Sequence, residues 1–123
     1  MVLVDTSVWI IHLRQGSRHL EQLLLDAQVV CHPFIVGELA CGNIRNREEF
    51  LTLLRSLPMA PTVTIDELLH FIDRKNLMGM GIGFVDAHLL ASAQLEAVPL
   101  WTLDKRLKSA AVRNKLAYVA DVR

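Results

Sequence analysis

Of thirteen Asp and Glu residues, four stand where a carboxylate has no routine task. Asp5 directly follows the apolar run Val2-Leu3-Val4. Glu38 carries the only formal charge between His32 and Asn43 in HPFIVGELACGN. Asp86 lies inside GIGFVDAHLLASA, and Asp104 follows PLWTL. At helical spacing the same-face neighbours of Glu38 are Phe34, Ile35, Cys41 and Gly42, none of which pairs a charge. The stretch reads as a short, wholly buried helix, where an unpaired charge is costly enough that a fold neutralises it or supplies a partner. If the four acids converge, two unit charges about 4 Å apart repel by roughly 4 kcal/mol at an effective dielectric of about 20. A cation among them removes that penalty, and an oxygen-only donor set without His or Cys suits Mg²⁺ or Mn²⁺ rather than zinc.

The other acids have ordinary places. Glu48, Glu49, Asp66 and Glu67 fall in first turns of expected helices, where the helix dipole favours them. Asp73 adjoins Arg74 and Lys75, Glu21 sits on a polar flank, and Asp26, Glu96 and Asp121 fall at element ends. Asp86 differs from these: His88, Ser92 and Glu96 form the polar stripe of its helix, while Asp86 shares a face with Leu89, Leu90 and Ala93.

The elements that must position the four acids alternate in type. Val2 to Val4 read as a short buried strand, followed by a helix that Ser7 can cap. SRHLEQLLLDA gives a second helix, QVVCH a second strand, and Pro33 to Gly42 the Glu38 helix, with proline and glycine at its two ends. Asn46 with Glu49, and Thr64 with Glu67, have capping-box spacing for two further helices. A helix from Phe84 to about Glu96, a strand VPLWT, a helix DKRLKSAAVRNK and a closing strand LAYVA complete the chain. Short apolar strands separated by helices predict a three-layer α/β/α sandwich around a mainly parallel sheet, with function at the carboxyl ends of the strands. Asp5 and Asp104 sit at such ends.

The chain has 123 residues, enough for one domain with a real core. It is 52% hydrophobic, and its 13 Lys and Arg balance 13 Asp and Glu, so overall charge does not advertise nucleic acid; phosphates would be met by a local patch or by metal. Two cysteines, Cys31 and Cys41, fit neither a zinc site nor a disulfide framework, which favours a reducing cytoplasm. No apolar run approaches the length of a membrane span.

Taken in order, VLVDTSVW, VGELACG, GIGFVDAHLLASA and LWTLDKRL resemble the PIN-domain ribonucleases, and among them the small VapC-type toxins of toxin–antitoxin modules. The likeness runs the length of the chain, residues 1–123, as a single domain. It implies that Asp5, Glu38, Asp86 and Asp104 form an acidic tetrad that binds Mg²⁺ or Mn²⁺, with Thr6, Ser7 and Thr102 as hydroxyls that orient ligands or water. It also implies an endoribonuclease that leaves a 5′-phosphate and a 3′-hydroxyl, a homodimer, and a cognate antitoxin whose C-terminal segment blocks the groove. Asp5 and Asp86 are then the first choices as direct ligands, Glu38 the ligand of a second ion or a proton acceptor, and Asp104 the more distant member.

Rival explanations exist for single residues. Asp104 can be a helix cap and Asp5 a turn residue. His88 reads as a surface or dimer-contact residue, Trp9 and Trp101 as core or interface aromatics rather than base platforms, and MGMGIG as a flexible approach to Asp86. Arg14, Arg18, Arg45, Arg47, Lys105, Arg106 and Lys108 are the cations placed to meet phosphate. Two other functions compete: a catalytically silent PIN-like module that binds RNA or protein, and a phosphoacceptor receiver domain. The receiver needs paired acids after strand one, where this chain has Asp-Thr-Ser.

Overall fold

A computed structural model describes residues 1–119. The elements are β1 (Val2–Val4), α1 (Thr6–Gln15), α2 (Arg18–Leu25), β2 (Val29–Val30), α3 (Pro33–Ala40), α4 (Arg47–Ser56), α5 (Ile65–Lys75), α6 (Phe84–Glu96), β3 (Leu100–Trp101) and α7 (Lys105–Arg113). The strands form a parallel sheet in the order β2-β1-β3, with Val2 opposite Val29 and Leu3 opposite Leu100. Single bridges extend both edges, Met59 against Cys31 and Ala117 against Leu100. All three residues of β1 are buried, the mark of a central parallel strand covered on both faces, as the expected sandwich requires. Leu3, Val4, Trp9, Leu20, Ile35, Leu54, Leu89, Leu90, Leu100 and Leu107 are core residues around it.

Local chemistry explains most helix starts. The Ser17 hydroxyl accepts from the Leu20 N–H at 3.2 Å, and Thr64 and Glu67 close the expected capping box. α3 starts at Pro33, and the imidazole of His32 caps it by accepting the Phe34 N–H at 3.0 Å.

Several local expectations fail for identifiable reasons. Ser7 is not a cap but the second residue of α1, whose N-cap position is Asp5, and its hydroxyl is used elsewhere. Asn46 takes a left-handed conformation with φ of 53° and makes no cap bond, so its box with Glu49 does not form. Of the closing strand LAYVA only the bridge at Ala117 is present in residues 116–119, and Ala120 lies outside the described residues. α3 is not wholly buried: Ile35 and Leu39 face the core, whereas Glu38 is exposed. The reverse holds in α6, where Ala87 through Ala93 are all buried, so His88 and Ser92 are interior rather than a solvated stripe.

Candidate active site

β1 delivers Asp5 to the carboxyl edge of the sheet, and its own N–H donates to the Trp101 carbonyl at 2.9 Å, so the residue is locked to β3 as well. Its side chain is 6% exposed. Oδ2 accepts from the Ser7 hydroxyl at 2.8 Å and from the Thr102 hydroxyl at 2.7 Å. Each hydroxyl has one proton, and both go to Asp5, so the 3.3 Å approach of Ser7 to Thr102 reflects a shared acceptor. Each oxygen in turn accepts a backbone N–H, Ser7 from Leu103 at 3.0 Å and Thr102 from Asp104 at 3.1 Å. The web orients Asp5 and ties it to the segment that carries Asp104. Among the described residues its side-chain hydrogen bonds all fall on Oδ2, which fixes the direction of Oδ1.

Asp104 is the N-cap of α7, its Oδ1 accepting from the Leu107 N–H at 2.9 Å. The capping explanation therefore holds, and it leaves one oxygen of an exposed carboxylate over the same edge. Asp86 is the third residue of α6; its Oδ2 reaches back to the Gly83 N–H at 3.1 Å, which explains the Gly-x-x-Asp spacing. Burial, the largest influence, pushes its carboxyl above the usual range; the Gly83 bond opposes this, and the charges of Asp5 and Asp104 push it further up. Asp5, Asp86 and Asp104 thus share one electrostatic neighbourhood. The sequence order Ser7, Gly83, Thr102 contained the signal for this web, since each lies two or three residues from an acid, but the backbone N–H groups of Leu103 and Asp104 that complete it carry no mark in the sequence.

Glu38 stands apart from that trio. Its partner comes from α1, the Thr6 hydroxyl donating to Oε1 at 2.7 Å, so Glu38 is joined to Asp5 through the next residue in the chain. Thr6 and Glu38 border a groove of about 580 Å³ with an apolar wall of Ile10, Leu13, Leu39 and Ile44, and with Arg14 and Arg45 among its lining. Of the other candidate cations, Arg47 donates to the Ala40 carbonyl at 2.9 Å. The stem of Arg106 lies so close over Gly81, at φ of +76°, that a Cβ there would sit 2.8 Å from it. The MGMGIG turn is thereby packed against α7, and Arg113 adds a bond to the sulfur of Met80 at 3.2 Å.

Among the described residues no three His, Cys, Asp or Glu side chains form a ready cage for a metal ion. The donor chemistry nonetheless fits a hard cation: among the described residues the acids are held by hydroxyls and backbone N–H groups rather than by cationic side chains, and the charges of Asp5 and Asp104 help to raise the Asp86 carboxyl. Mg²⁺ commonly takes only one or two carboxylates and completes its shell with water and substrate phosphate, so an open edge suits it better than it suits Zn²⁺.

Residues 2–113 match the PIN domain family model. The chain is 47% identical over 123 residues to ribonuclease VapC32 of Mycobacterium tuberculosis, covering 99% of each chain, and the match is the same for strains CDC 1551 / Oshkosh and ATCC 25618 / H37Rv. PAE2754 from Pyrobaculum aerophilum shares the fold at a TM-score of 0.66 and 17% identity, over 95% of this chain and 87% of that one. FitAcB from Neisseria gonorrhoeae does so at a TM-score of 0.61 and 18% identity, over 95% of both chains.

Proposed function

The chain belongs to the PIN-domain family, and we propose that within it this protein is a VapC-type toxin, an Mg²⁺- or Mn²⁺-dependent endoribonuclease. The observation that carries the reading is the hydroxyl web that holds Asp5 and Asp104 together across Thr102 while Asp86 feels both their charges. The near full-length likeness to a named ribonuclease supports the same class of substrate.

Asp5 and Asp86 would hold the cation directly, with Asp104 and Glu38 flanking it. Such an ion, when bound, stabilises charge on the phosphate and makes water a better nucleophile. The work of the chain's own residues follows from their contacts. Ser7 and Thr102 fix the orientation of Asp5, so no freedom must be lost when phosphate arrives. The Gly83 N–H holds Asp86 in place against the two neighbouring charges. Glu38, exposed and bonded through one oxygen, has the other free to accept a proton from the attacking water. Arg14 and Arg45 are placed to receive backbone phosphates entering the groove. The same reading assigns a cognate antitoxin, a homodimer and a cytoplasmic site of action.

The test is cleavage of a fluorescently labelled structured RNA. It should require Mg²⁺ or Mn²⁺, stop with a chelator, and fall at least about 100-fold in Asp5→Asn and Asp86→Asn, both still folded by circular dichroism. Cleavage that persists with chelator present, or in both variants, overturns the proposal.

A further inference from the structure

We propose that Phe84, backed by Phe34, is a stacking platform for one unpaired base of the RNA at the carboxylate edge; the inference rests on the ribonuclease reading above. The two tryptophans are unsuited to that role: Trp9 is fully buried, and Trp101 packs against His19 and Tyr118. Phe84 is 59% exposed even though it opens the helix that carries Asp86. Leaving that ring in water gives up burial that the fold achieves, wholly or in part, for its other six Phe, Trp and Tyr side chains.

Its position is fixed from behind. The Phe34 and Phe84 rings lie 6.4 Å apart and within 22° of parallel, an offset stack. His88, 4% exposed, meets both edge-on, at 4.7 Å from Phe34 and 4.5 Å from Phe84. A ring held by two such contacts is preorganised, and a ligand stacking on its outer face need not order it.

The pair also lies on the two helices that carry Glu38 and Asp86. Phe34 precedes Glu38 by one turn on the same face of α3, and Phe84 and Asp86 both occupy the first turn of α6. Side chains tilt toward a helix's N-terminus, so Phe84 and Asp86 project past the same helix end, at different angles about the axis. Phe84 therefore stands beside the acids rather than among them, about 200° around the axis from Asp86 at the same helix end. With no net charge on the chain, attraction for phosphate is confined to local arginines, and stacking supplies affinity that needs none. The occupant is an unpaired base, since a paired one already has both faces covered; the substrate class is a single-stranded loop or bulge.

The test measures binding of a fluorescein-labelled oligouridine of about ten nucleotides, and of an RNA duplex of equal length, by anisotropy in chelator. It is paired with cleavage kinetics in Mn²⁺. Phe84→Ala should weaken single-strand binding about 5- to 100-fold and raise KM in proportion with kcat little changed, while duplex binding stays as it was. Phe84→Trp should retain affinity and show indole quenching on addition of the oligonucleotide. Phe84→Leu, which keeps apolar bulk, guards against a folding artefact and should still bind less tightly. Unchanged binding and KM in Phe84→Ala, with cleavage by the parent intact, overturns the platform and leaves the nuclease standing. An altered oligomeric state of Phe84→Ala in sedimentation also overturns it, by assigning the ring to contact between copies. A parent that neither binds nor cuts RNA removes the ribonuclease reading and the platform together.

Discussion

Helices α3 and α6 carry titratable groups to two places, and the two are built on opposite electrical terms. In the junction between the helices, His32 and His88 are buried and uncharged. The tautomer of His32 follows from its partners. Nδ1 accepts the Phe34 N–H at 3.0 Å, Ser92 spends its single proton on the Pro61 carbonyl at 2.7 Å, and Nε2–H must therefore donate to Ser92 at 3.0 Å. At the carboxylate edge, Asp86 feels the charges of Asp5 and Asp104 while Glu38 stands apart, bonded to Thr6, and there the fold orients acids with hydroxyls and N–H groups instead of neutralising them. Where only packing is needed, charge is suppressed; like charges retained at an edge mark a candidate functional site.

The contrast breaks most visibly with acid on the histidine side. His32 is pushed down to about 4, by burial first and by His88 second, and His88 is lowered by burial. The unfolded chain then binds a proton that the native one resists, so stability is complete above the ordinary histidine value and is lost as pH falls toward 4. Chemical denaturation should show a loss of about 2 kcal/mol between about pH 7 and pH 5, and His32→Asn should flatten that slope. A slope unchanged in His32→Asn would locate the acid sensitivity elsewhere.

On the acid side the sign reverses. The Asp86 carboxyl is held above its usual range, so metal-free native protein loses stability as pH rises through the carboxylate range. Asp86→Asn, whose amide oxygen can still accept from Gly83, should raise metal-free stability at neutral pH and change little in acid, where both side chains are neutral. Destabilisation at neutral pH would mean that Asp86 has a structural partner. The smallest effect belongs to Glu38→Gln. The residue is exposed and its variant can still accept from Thr6, so metal-free melts should move by no more than about 0.5 kcal/mol in stability.

The backbone plan is legible in the sequence through local signals, the uninterrupted Val-Leu-Val of a central strand and the Thr64–Glu67 box, and the glycine three residues before Asp86 marks the N–H that holds that carboxylate. What it hid are matters of partner choice. Ser7 looks like a cap until Asp5 and Leu103, far apart in the chain, are brought to its oxygen. His88 and Ser92 look solvated because the wheel sees only their own helix, whereas the alanines of α6 let neighbours approach on every side and His32 and Pro61 supply the hydrogen bonds of Ser92. Glu38 looked buried and unpartnered from α3 alone; it is exposed, and its partner is on α1.

Thermal unfolding with and without millimolar Mn²⁺ bears most directly on the claim that the carboxylate edge is completed by a divalent cation. The wild-type melting temperature should rise with Mn²⁺ in a concentration-dependent way, and the rise should vanish in Asp5→Asn/Asp86→Asn. A wild-type melt indifferent to the ion, or an equal rise in the double variant, would contradict the account.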